Sequence, residues 1–156
     1  MNVGIIIFSR TGNTLSVAEK VRDACLAQGH TAVIERISAE NEDPNSKLPV
    51  RLKNAPDPVR FDAVIFGAPV QGFSLSPIVK AYLTQIPQIT GKEVGCFVTQ
   101  HFPKPWMGGK QAAKQMCSLC QSKGVVVAEI GIINWMNKSR KGQIDDVASM
   151  LSRIGG

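Results

Sequence analysis

Five short apolar runs recur along this chain, separated by amphipathic stretches. Val3–Phe8 reads VGIIIF without a polar break. A strand with one face in water alternates apolar and polar residues, so an unbroken run marks a strand covered on both faces. Thr31–Arg36, Ala63–Phe66, Val94–Thr99 and Val125–Ile133 are the other strand candidates, with Gly67 ending the third. Thr14–Gln28 puts Leu15, Ala18, Val21, Ala24 and Cys25 on one side of a helix and Glu19, Lys20, Arg22 and Asp23 on the other, and Gly29 closes it. Pro77–Ile86 turns Ile78, Val79, Tyr82, Leu83 and Ile86 inward, with Pro77 suited to its first turn. Lys110–Lys123 is a helix stopped by Gly124, and Ile144–Ile154 is a last one through Val147, Ala148 and Leu151. Buried strands alternating with such helices predict a parallel sheet with helices on both faces. Residues 37–60, with Pro44, Pro49, Pro56 and Pro58, admit at most one short helix and are otherwise a long surface crossover. With no repeat and no linker, the 156 residues are expected to form one domain.

Apolar residues make up 44% of the chain and charged residues 19%, an ordinary globular balance. No run is long enough to span a bilayer, and residues 1–8 have neither a basic flank nor a cleavage pattern, so the expected location is the cytoplasm, without membrane contact. Cys25, Cys96, Cys117 and Cys120 are then expected as free thiols. Cys117 and Cys120 share helical spacing with Ala113 and Met116, which places both thiols toward the core. No second ligand pair exists to make a zinc site with them. The formal charge is +6, but Lys and Arg are spread through the sequence and only Lys138, Arg140 and Lys141 cluster. Nucleic-acid binding is not expected: there is no RNP-type aromatic strand and no repeated Cys/His spacing. An anionic cofactor and an acidic partner account for the excess charge.

Open α/β sheets bind ligands at the carboxyl ends of their strands, where strand order reverses. The loop after the first strand reads Ser9-Arg10-Thr11-Gly12-Asn13-Thr14 and runs into a helix. Its N–H groups and hydroxyls suit a phosphate at a helix start, and Arg10 adds a charge. Capping by Thr11 or Asn13 alone would need one such residue, not five polar ones. The loop has neither the Walker pattern nor the dinucleotide fingerprint. It also lacks the acidic residues of a phospho-receiver and the cysteine of a phosphatase. The loop after the third strand, GAPVQGFSLSP, offers glycines and Phe73. The loop after the fourth carries His101, Phe102 and Trp106. Exposed aromatics there either stack on a planar heterocycle or plug the sheet end. His101 is either a proton donor or a surface residue.

Over its whole length, and most specifically in S-R-T-G-N-T, the chain resembles the flavodoxin family. The resemblance implies an α/β, three-layer, doubly wound flavodoxin-like fold with a five-stranded parallel sheet in the order 2-1-3-4-5. It implies one FMN, with Ser9, Arg10, Thr11, Gly12, Asn13 and Thr14 around the phosphate. Ala68, Pro69, Val70, Gln71, Gly72 and Phe73 would flank the ring, and a carbonyl at Gly72 would turn toward flavin N5 on one-electron reduction. Thr99, His101, Phe102 and Trp106 would lie near its pyrimidine side. The implied function is electron transfer to a redox partner protein, ferredoxin-like or a reductase, by a monomer or weak dimer without catalytic side chains or metal. An NAD(P)H-dependent FMN or quinone reductase on the same fold is the alternative, and a non-redox interaction module a further one. Two departures stand out. Familiar members are acidic and this chain is basic, which predicts a less negative potential for the reduced flavin. Gln71 also stands where a stacking aromatic is expected, leaving one ring face more open.

Overall fold

The structure is a computed structural model that describes residues 1–102, 104 and 106–154. The chain runs β1 (Asn2–Ile7), α1 (Asn13–Ala27) and β2 (Thr31–Arg36). Two short strands, β3 (Ser38–Ala39) and β4 (Leu52–Asn54), and a 3-10 turn at Pro58–Arg60 lead into β5 (Ala63–Gln71). Then follow β6 (Ser74–Leu75), α2 (Pro77–Gln85), β7 (Glu93–Gln100), α3 (Gly109–Gln121), β8 (Val127–Asn134) and α4 (Arg140–Ser152).

The main sheet is ordered β2-β1-β5-β7-β8, and these five strands are parallel. Numbered in chain order they read 2-1-3-4-5, as expected. From β1 the chain winds first to β2 and later to β5 on the other side, so strand order reverses between β1 and β5. Consecutive residues of β1 feed two cores. Val3, Ile5 and Ile7 pack with Val17, Val21, Phe97 and Leu151 under α1 and α4. Ile6 and Phe8 pack with Phe66, Tyr82, Leu83 and Met116 under α2 and α3. The unbroken apolar run is thus one strand serving both layers.

Several boundaries differ from the sequence reading. Residues 37–60, expected as a surface crossover with at most one short helix, hold the 3-10 turn and also a small antiparallel ribbon, β3 with β4. Asp57 caps that turn, its carboxylate accepting from the Val59 N–H at 3.0 Å. Gly67 does not end a strand: β5 continues to Gln71, pairing with β7 as far as Pro69 and Thr99. A Cβ on Gly67 would lie 2.3 Å from the Phe97 ring, so the glycine serves packing within the strand. The last helix begins at Arg140, not Ile144, because its first turn is polar and carries no apolar period. Cys120 is buried as expected, but Cys117 is only half-buried, at the edge of the apolar stripe.

Candidate binding site at the sheet mouth

Helix α1 starts after Gly12, which adopts φ +94° and has no side chain to cap it. The first turn holds no acidic residue. Ser9 instead reaches across, its Oγ accepting from the Leu15 N–H at 3.1 Å. Among the described residues no acceptor meets the backbone N–H of Arg10, Thr11, Gly12, Asn13 or Thr14. Five open donors at the positive end of a 15-residue helix are an arrangement that could hold an anion. The loop is held from outside: Arg36 donates to the Ser9 carbonyl at 3.2 Å, and the Thr14 and Thr99 hydroxyls share a hydrogen bond of 2.9 Å. Ser9 and Thr14 are therefore committed to shaping the loop, while the side chains of Arg10, Thr11 and Asn13 stay open.

Arg10, Thr11, Asn13 and Thr14 line a cavity of about 380 Å³ with Pro69, Val70 and Gln71 of β5 and with Thr99, Gln100 and His101 at the end of β7. The volume falls within the range of small-ligand pockets. Ala68 is buried in β5 and does not line the cavity.

The second loop is a tight hairpin. β5 folds back on β6 through Gly72 and Phe73, with Gln71 opposite Ser74. Both turn residues have positive φ, +59° and +60°, as a two-residue hairpin of the type I′ class needs. Glycine accepts this freely; Phe73 does so at a cost of about 1–2 kcal/mol. Gln115 of α3 anchors the hairpin, its Oε1 accepting from the Leu75 N–H at 2.8 Å and the Ser74 hydroxyl at 2.9 Å. Phe73 is thus projected outward, 59% exposed, onto the ring of Phe102.

The third loop hangs on Gln100. Its buried amide donates to Asn134 Oδ1 at 2.6 Å, to the Phe102 carbonyl at 2.8 Å and to the Lys104 carbonyl. Asn134 in turn receives α4, its N–H donating to Gln143 Oε1 at 2.8 Å. Gly108, at φ +114°, lets the loop pass close to the hairpin: a Cβ there would lie 2.8 Å from the Phe73 Cα. His101 meets Phe102 edge-on, and Trp106 is 70% exposed under the Lys104 ammonium. The fold therefore brings the first loop, β5 and Thr99-His101 around one cavity. Of the expected residues, Ser9, Gly12, Gly72, Phe73, Phe102 and Trp106 do not line it.

Trp135, just past β8, lines the cavity and was not among the expected residues. Its N–H donates to the Gln100 carbonyl at 2.7 Å, and the Arg140 guanidinium lies 4.6 Å from its ring centre. An aromatic at a strand end followed by an arginine was the available signal.

The charge is lopsided. The loop between β1 and α1, the segment after β7 up to β8 and the segment after β8 up to Asp145 carry Arg10, Lys104, Lys110, Lys114, Lys138, Arg140 and Lys141, all exposed, and no carboxylate, while α1 itself adds Glu19 and Asp23 beside Lys20 and Arg22. Cations spread through the sequence converge in the fold. The opposite flank, after β2, holds Glu40, Glu42 and Asp43 against Lys47 and Arg51. The shifted titrations lie elsewhere. A hydrogen bond with the neighbouring Cys120 thiol, together with burial, holds the Cys96 thiol well above its ordinary range. Burial pushes up Cys25 and Cys117. Tyr82 is pushed far up by burial, then by Asp57 and Glu35, and its hydroxyl donates to the Pro56 carbonyl.

No protein-family model matches this sequence, and no curated protein matches it. Solved structures do. A solution structure of reduced Megasphaera elsdenii flavodoxin superposes with TM-score 0.70 at 21% identity, over 97% of this chain and 98% of that one. The fold is flavodoxin-like. A flavodoxin from Bacillus cereus matches the flavodoxin-like chain with TM-score 0.65 at 14% identity, over 99% of it and 100% of its own length. A Lactobacillus acidophilus flavoprotein crystallised with FMN matches with TM-score 0.62 at 18% identity, over 84% and 92%. Among the described residues of this flavodoxin-like chain, no helix is long and apolar enough to cross a membrane.

Proposed function

We propose that this chain binds one FMN at the sheet mouth and serves as an electron carrier. The observation that carries the reading is the run of five open N–H donors from Arg10 to Thr14, beside a cavity walled by β5 and the end of β7. A row of unpaired donors at a helix start, open to solvent at Arg10, Thr11 and Gly12, is a ready place for an anion. A terminal phosphate fits that row, with Thr11, Asn13 and Arg10 adding open side chains around it. The remaining cavity suits a planar ring between the second and third loops. When bound, FMN supplies the electron chemistry, and the protein supplies position and field.

The carrier reading is favoured over a reductase because the cavity gathers no set of acid, base and nucleophile. His101 is exposed, and the buried thiols lie within the two cores, Cys96 and Cys120 under α2 and α3 and Cys25 under α1 and α4. The cations at the mouth favour an acidic protein partner, ferredoxin-like or a reductase. Four unpaired cysteines suit the reducing cytoplasm. All 156 residues act as one domain in this reading.

The test is to add FMN to the purified apoprotein and follow the visible spectrum during anaerobic stepwise reduction. Two resolved one-electron steps, with no bleaching by NAD(P)H alone, are expected. Rapid bleaching by NAD(P)H would make it a reductase. No binding would leave only an interaction module.

A further inference from the structure

We infer that Trp135, backed by Arg140, walls the site at its phosphate end and that the pair selects a phosphorylated flavin over the unphosphorylated one. The inference rests on the FMN reading above. Trp135 belongs to none of the three loops from which the site was expected. It follows β8, and three elements fix it. The end of β7 holds its N–H through the Gln100 carbonyl, and the first residue of α4 holds its carbonyl, Arg140 Nη1 donating at 3.1 Å. The same guanidinium covers the ring at 4.6 Å. Below, the half-buried ring packs on the apolar cluster beneath α1 and α4, which also takes Leu15 from the first turn of α1. Trp135 is therefore a rigid wall on the side of the cradle, lining one cavity with Arg10, Thr11, Asn13 and Thr14.

Arg140 brings charge to that wall. It stands in the first turn of α4, where the helix dipole is already positive and no acidic residue offsets it. Among the described residues no carboxylate pairs with it. Stacking on Trp135 orients a guanidinium that would otherwise swing in solvent. A dianionic ester in the neighbouring cradle gains from this fixed charge, and a neutral ribityl hydroxyl gains little. Arg140 acts through Trp135 and through its field, so it is a positioning residue.

The test is calorimetric titration of the apoprotein with FMN and, separately, with riboflavin. The proteins are wild type, Trp135→Phe, Trp135→Ala, Arg140→Gln and Arg140→Lys, with melting of each apoprotein recorded. Trp135→Ala and Arg140→Gln are expected to weaken FMN about tenfold and riboflavin less than about twofold. Trp135→Phe and Arg140→Lys should fall between these and wild type, since each keeps part of the wall or its charge. The FMN-to-riboflavin ratio separates selection from a merely structural role, which would weaken both ligands alike. Equal losses for the two flavins, or unchanged FMN affinity, overturn the inference. Arg140 is exposed, so its variants answer the question even if Trp135→Ala does not fold. Wild-type protein that takes up no FMN overturns the underlying reading as well; wild-type binding with unaffected variants overturns this inference alone.

Discussion

The rings of Phe73 and Phe102 lie face to face, 5.7 Å between centres and 4° from parallel. One comes from the β5–β6 hairpin and the other from the loop after β7, so a flat ligand between the two loops must part them. The contact it breaks is worth about 0.5–1.5 kcal/mol. Phe102→Ala should therefore speed flavin association roughly two- to tenfold in stopped-flow quenching, and speed release as well. Association at the wild-type rate would mean that the stack does not obstruct the ligand.

Phe73 occupies a left-handed backbone position that asparagine tolerates better. Phe73→Asn should hold or raise apoprotein stability by up to about 1 kcal/mol in urea unfolding, while FMN binds more weakly. A marked loss of stability would show that the ring supports the hairpin by packing.

The first loop has bonded side chains at Ser9 and Thr14 and open ones at Thr11 and Asn13. Ser9→Ala removes the acceptor of the Leu15 N–H and should cost about 1 kcal/mol of apoprotein stability. Thr11→Ala and Asn13→Ala remove no hydrogen bond of their side chains, so stability should stay within about 0.5 kcal/mol while FMN affinity falls roughly tenfold. Urea unfolding and FMN titration on the three variants check the split. Destabilised Thr11 and Asn13 variants would make those residues caps after all.

Gln100 joins β7, β8 and the third loop through one amide. Gln100→Leu keeps the volume but strands Asn134 Oδ1 and two loop carbonyls, at a cost of roughly 1–3 kcal/mol. Hydrogen exchange should rise in residues 101–108 before it rises in β1 or β5. Uniform loosening would place the loss in the core instead.

The thiols set an alkaline limit. Cys25, Cys96 and Cys117 keep their protons in the folded chain above the ordinary thiol range. Below about pH 8.5 both folded and unfolded chains hold these protons, and stability is unaffected. Above it the unfolded chain releases protons that the folded chain keeps, so stability falls as pH rises. Urea midpoints at pH 7.5 and pH 10 should show the drop, and Cys25→Ala should reduce it. An equal drop in that variant would remove Cys25 from the cause.

Much of the fold was legible because β1, β5 and β7 are buried on both faces and leave unbroken apolar runs. The β3–β4 ribbon left no trace, since strands of two and three residues are too short to carry a period. The first turn of α4 was invisible because Arg140-Lys141-Gly142-Gln143 has no apolar face. The cradle was legible as a polar loop opening a helix, but its division was not: only coordinates show Ser9 and Thr14 bonded inward and Thr11 and Asn13 left open. Trp135 escaped because it follows an apolar run that ends at Ile133, on the strand farthest from the first loop in the sheet order. The gathering of cations was hidden by their sequence separation, which folding abolishes.

That gathering leaves the flank of the mouth after β7 and β8 with cations and, up to Asp145, no carboxylate. A negative surface feels such a flank before contact, so encounters with an acidic partner are biased toward it at low ionic strength. At about 0.1 M salt the field fades within roughly 10 Å, and orientation is left to collision.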